Sequence, residues 1–179
     1  GIIILFIKPQ PIEKRSPNPT ATLLKNKRFI AYLPMVFIIF FVLFFPQPLA
    51  PNYLQNQRGI SIGTIGILTA IMNLGNAGLN ILFGIIPVRA GLLIGQTAIG
   101  LFSLLVWRST GLPLLVIAYF SSGGYRATRS LLIAQVQKLV ESSNLVLDYG
   151  ITETVAGSAL MVVQTFVGVL FAKEPSLIF

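Results

Sequence analysis

Of the 179 residues, 54% belong to the set Ala, Val, Ile, Leu, Met, Phe, Trp, Tyr and Cys, and only 10% are charged. Adding the 16 glycines raises the apolar share to about 63%, against roughly 45–50% in a soluble domain. One core of this size cannot hide that surplus, which argues against a soluble globular domain. The five acidic residues are too few for a disordered acidic tail or a carboxylate-built metal enzyme, and there is no His or Cys. Zinc sites, haem ligation, disulfides, cysteine nucleophiles and Ser-His-Asp catalysis are therefore excluded. No catalytic residue, metal or cofactor is expected. The net charge of +8 suits loops facing anionic lipid better than nucleic acid in a chain this apolar, so nucleic acid is not an expected partner.

The chain opens GIIILFI with no initiator Met, and then turns basic. A signal peptide has the opposite order. Residues 1–7 are read as the end of a preceding transmembrane helix, with residue 1 a cut through a longer protein. Residues 8–28 carry six Lys or Arg against Glu13 and are rich in Pro, Ser and Asn, the pattern of a basic cytoplasmic linker. Beyond it, charge-free stretches predict five transmembrane helices at about 29–50, 62–84, 91–108, 112–136 and 150–172, with a further helix starting at 175–179. Runs such as FIIFFVLFF do not alternate, so the segments read as helices rather than barrel strands. Alternating the spans places eight basic residues inside and three outside, consistent with the positive-inside rule. The expectation is an all-α, polytopic, multi-pass membrane protein of the plasma or inner membrane.

Several faces are not purely apolar. In the first span, Phe37, Phe40, Phe41, Phe44 and Phe45 nearly encircle the helix and read as lipid contact, while Pro34, Pro46 and Pro48 predict a kinked or broken end. In the second, Thr69, Asn73, Asn76 and Asn80 share a stripe. It serves either helix–helix hydrogen bonding or a substrate path. Gly91 and Gly95 begin the third span as a close-packing pair. The fourth carries Tyr119, Ser122, Tyr125, Arg126 and Arg129 on one stripe, with Gly123-Gly124 allowing a close helix approach or a bend. Arg126 lies about 14 residues, or roughly 21 Å, from the outer start. An arginine there contacts substrate, anchors at the inner leaflet or pairs with Glu153, one turn into the fifth span. Glu153 is equally a candidate for proton coupling. The fifth span lines up Thr154, Gly157, Ser158, Met161, Thr165 and Gly168, read as a close helix–helix contact.

The turn GIIPVRAG, residues 84–91, resembles the Gly-x-x-x-Asp-Arg-x-Gly signature of the major facilitator superfamily. Gly84, Arg89 and Gly91 match, Val88 stands at the aspartate position, and Leu92-Leu93 replace the following basic cluster. The preceding basic linker, the run 53–75 and the run 149–175 are similar in layout to the second half of such a transporter, from the end of its sixth helix to the start of its twelfth. The resemblance implies a C-terminal half of a secondary transporter working by alternating access. Its partners would be a small-molecule substrate, the lipid bilayer and the missing N-terminal half of the same polypeptide. Tyr119, Tyr125 and Arg126 would face substrate, and Asn73, Asn76 and Asn80 would lie near the interface between halves; Arg129, on the same stripe as Arg126, is a further candidate substrate contact. Gly84, Arg89 and Gly91 would form a gating turn, with its charge-pair latch placed in doubt by Val88.

Two other classes compete. A membrane-embedded enzyme would show His, Asp or Ser clusters, and a non-transporting scaffold or sensor would share the bundle without solute flux. No GxxxxGKS loop marks a nucleotide-driven pump.

Overall fold

The computed structural model describes residues 26–109, 111–140 and 145–179; the expectations for residues 1–7 and 8–25 lie outside them. Of the described residues 89% are helical and none is in a strand.

Helix α1 spans Lys27–Phe44. The Asn26 side chain caps it by accepting from the Phe29 N–H at 3.1 Å, satisfying one of the orphan donors of the first turn. The helix runs through Pro34 and ends at Phe44, short of the expected residue 50, ahead of Pro46 and Pro48. A short turn leads into α2, Ala50–Arg58, where only a loop was expected. Pro51 stands in its first turn, and Gly59 ends it in the left-handed region at φ 66°. Helix α3 spans Ile62–Ile85, capped by Ser61, and α4 spans Val88–Arg108. The fourth span is two helices, α5 (Leu112–Ser122) and α6 (Gly124–Leu139), divided at Gly123. Helix α7 is the longest, at 29 residues (Leu145–Lys173). The chain closes in a 3₁₀ turn, Pro175–Ile178, where the start of a further helix was expected.

Four helices, α1, α3, α4 and α7, are long and apolar enough to cross a membrane. The α5–α6 path runs through their middle. Helix α5 packs against α3 and α4, and α6 packs against α1, α3, α4 and α7. Helices α1 and α7 pair with each other. At one end of the bundle, Asn26 Nδ2 donates to the Leu139 carbonyl, and further along Tyr32 donates to Leu132 O. At the opposite end lie Arg58, Trp107 and the 3₁₀ turn; Arg58 donates to the Trp107 carbonyl.

Glycine lets the helices at the centre touch. A Cβ on Gly75 of α3 would fall 2.0 Å from the Phe120 carbonyl oxygen, and one on Gly123 would fall 2.2 Å from the Asn76 nitrogen. Gly95 of α4 admits the Thr128 hydroxyl, and Gly91 admits Leu131. The Gly91–Gly95 pair thus packs closely against α6. The outside is coated with apolar side chains, among them Ile38, Ile67, Ile81, Leu93, Leu104 and Phe166.

Candidate functional site

Helix α6 begins right after the break at Gly123, and its first polar side chains stand roughly 20 Å from either end of the α5–α6 path at 1.5 Å per residue. Its two arginines share a face and reach to different neighbouring helices. Arg126 is exposed, and its Nη1 donates to Asn73 Oδ1 on α3 at 3.1 Å. Arg129 bonds Glu153 on α7, Nη2 to Oε2 at 2.5 Å, with both side chains 40% exposed. The ion pair foreseen for Glu153 therefore goes to Arg129. One turn after Arg126, the exposed Ser130 donates to the Arg126 carbonyl at 3.2 Å.

Helix α3 continues the polar surface. Asn80 Nδ2 donates to Asn76 Oδ1 at 2.9 Å and to the Asn76 carbonyl at 3.0 Å. Both residues are half-buried, while Asn73 is exposed. The asparagine stripe makes one bond across helices, to Arg126, and otherwise bonds along its own helix. On α7, Thr154 and Ser158 are exposed and bond the carbonyls of Gly150 and Thr154, each at 2.8 Å. Arg126, Asn73, Ser130, Thr154 and Ser158 thus lie on the exposed surfaces of three helices of which α6 touches both others. A guanidinium beside amide groups offers a planar fork of N–H donors suited to carboxylate or phosphate.

Two sequence candidates lie elsewhere. Tyr119 is 3% exposed and packs edge-on against Phe102, ring centres 5.5 Å apart. Tyr125 is 8% exposed and packs against Phe40 and Phe44. Consecutive helical residues point about 100° apart. Tyr125 therefore turns inward where Arg126 turns out. The phenylalanines of α1 also depart from expectation. Phe40 is fully buried, Phe37, Phe41, Phe44 and Phe45 are half-buried, and Phe41 and Phe45 pack on Phe166 of α7. They join helices instead of coating them.

The small-residue face of α7 also departs from expectation. A Cβ on Gly157 or Gly168 would meet nothing within 4 Å, and Met161 is 74% exposed. Among the described residues no helix packs closely on that face. In the turn, Gly84 stands in open space, Arg89 is exposed, and Gly91 is held under Leu131.

Among the described residues are three surface concavities, one of them on the Met161–Thr165 face that α7 shares with Ser158. One of about 470 Å³ is lined by α1, α4 and the 3₁₀ turn, including Phe45, Gln96, Trp107 and Phe179. A shallow apolar one lies on α7 around Phe166. A polar one of about 370 Å³ gathers Tyr53, Gln57, Arg58 and Glu174. Sequence reading missed this last group because α2 was read as a loop. It also missed Ser130, which its position four residues after Arg126 places on the same helix face.

No protein-family model, curated protein or solved structure matches the chain.

Proposed function

We propose that this chain is the second half of a membrane-embedded secondary transporter of the major facilitator type, and that the polar surface of α3, α6 and α7 faces its solute path. One observation carries the reading: Arg126 stands near mid-height of an apolar-coated bundle, on a surface that also exposes Asn73 and the Arg129–Glu153 pair. A charge at the centre of a bilayer costs several kcal/mol, so such residues face water or protein and mark solute pathways. Transporters built from repeats place their site near the midplane where the repeats meet. The N-terminal half would cover this surface and enclose the path. The GIIPVRAG turn and the basic linker support the same architecture and put the Asn26 end in the cytoplasm.

The test is flux through the protein expressed from its native reading frame and reconstituted into liposomes. Arg126→Ala, at the proposed path, is expected to slow transport about tenfold or more, the loss of a charge-assisted hydrogen bond. Arg108 sits over the Trp107 ring at 5.3 Å, far from the path, and Arg108→Ala is expected to stay near wild type. Equal rates for both variants would overturn the site. Absence of flux for every solute tried would leave a non-transporting scaffold or sensor as the better reading.

A further inference from the structure

We infer that the polar surface binds a small organic anion through one carboxylate, received by Arg126 beside the amide of Asn73. This rests on the transporter reading and adds the chemical class of the solute.

Charge comes first. Arg129 is neutralised by Glu153, which is the one ion pair among the described residues. Arg126 is held by a neutral amide oxygen, so among the described residues its positive charge has no acidic partner. The other described acids are placed elsewhere: Asp148 is buried near the start of α7, and Glu174 lies at the opposite end of the bundle beside Arg58.

Hydrogen-bonding capacity points the same way. The Asn73 Oδ1 acceptor is taken by Arg126, and the Asn76 Oδ1 acceptor is taken by Asn80. Arg126 keeps most of its five N–H groups free and has no acceptor of its own, and the Asn73 amide nitrogen beside it makes no bond among the described residues. The free acceptors of the surface, the Asn80 amide oxygen and Glu153 Oε1, belong to other side chains. A cation would meet like charge. A carboxylate supplies two acceptor oxygens in the plane of the guanidinium fork. A single free arginine matches a single negative charge. A dicarboxylate or phosphate dianion would need Arg129 as well, and Arg129 is already engaged.

The experiment uses the protein from its native reading frame in phosphatidylcholine nanodiscs, melted at fixed ionic strength. The probes are lactate and benzoate, with succinate, inorganic phosphate, glucose and choline for comparison. Lactate or benzoate is expected to raise the melting temperature. Arg126→Gln should abolish that shift, Arg126→Lys should retain part of it, and Arg108→Gln should leave it intact. The carboxylate assignment is overturned if no monocarboxylate shifts the melting, if Arg126→Gln responds like wild type, or if succinate or phosphate acts more strongly. A shift produced only by adding phosphatidylglycerol, and lost in Arg126→Gln, would reassign the anion to a lipid headgroup and overturn the soluble solute.

Proteoliposome flux separates this inference from the one beneath it. Arg126-dependent binding of a monocarboxylate without flux of any solute would uphold the anion site and sink the transporter. Flux of glucose or choline that no carboxylate inhibits would do the reverse.

Discussion

A single methyl group added to Gly75 would arrive 2.0 Å from the Phe120 carbonyl oxygen, closer than a Cβ ever sits. The obstacle is backbone, and a helix backbone cannot step aside as a side chain does. Overpacking of this kind costs about 1–3 kcal/mol. Gly66, nine residues earlier on the same helix, has nothing within 4 Å of its Cβ position. Gly75→Ala is therefore expected to lower the stability of the purified protein in detergent by about 1–3 kcal/mol. Gly66→Ala should be neutral or stabilising by up to about 1 kcal/mol, the helix-propensity gain. Denaturant titration of both variants checks the contrast, and equal effects would contradict the crossing of α3 and α5. The two glycines look alike in sequence, because the demand for a missing side chain is set by a partner 45 residues away. Tyr119 and Tyr125 were misplaced for a related reason. A helical stripe says which residues share a side, but a wide stripe does not say where along it the burial ends. Arg126 and Asn73 were legible because a charge and an amide in an apolar helix need an explanation wherever they point.

At the scale of elements, proline and charge did most of the signalling. Charge-free stretches placed α1, α3, α4 and α7, and the prolines after Phe44 stopped α1. The short helix α2 escaped because its polar sequence was weighed by hydropathy alone. Its punctuation, Pro51 near the start and Gly59 after the end, was there to be read. The Gly123-Gly124 pair was expected to allow a close helix approach or a bend, and Gly123 does both; that its partner is Gly75 is a tertiary fact. Asn26 joins two elements at once. Its Oδ1 accepts from Phe29 N at the start of α1, and its Nδ2 donates at 2.8 Å to the carbonyl of Leu139 at the end of α6. Ser61 caps only its own helix. Asn26→Ala is expected to cost about 2 kcal/mol, from the lost cap and the lost bond to α6, and Ser61→Ala about 1 kcal/mol. Thermal melts of the two variants provide the comparison; an equal loss would mean that the bond to α6 contributes nothing.

Taken whole, the molecule has two kinds of surface. Most of it is branched aliphatic and aromatic, while α3, α6 and α7 expose polar groups at Asn73, Arg126, Ser130, Thr154 and Ser158. A solute path predicts that these two surfaces meet different solvents. The sequence contains no cysteine, so single cysteines can be introduced without background. In the reconstituted protein, cysteines at Asn73, Ser130 and Ser158 are expected to react with a water-soluble, membrane-impermeant thiol reagent. Cysteines at Leu93 and Leu104 are expected to be protected by lipid. Protection at all five positions would show the polar side sealed, and would favour helix packing over a path.

The seam between α2 and α4 has an optical consequence. Trp107 is the single tryptophan of the chain; the residue is 42% exposed, the Arg108 guanidinium lies over its ring, and its carbonyl accepts from Arg58. It also lines the concavity closed by the 3₁₀ turn. Indole emission shifts with the polarity around the ring, so all the intrinsic tryptophan fluorescence of this chain reports from that one corner. Displacement of the closing turn, entry of a lipid tail into the concavity or loss of the cation above the ring would each change the emission spectrum without any label.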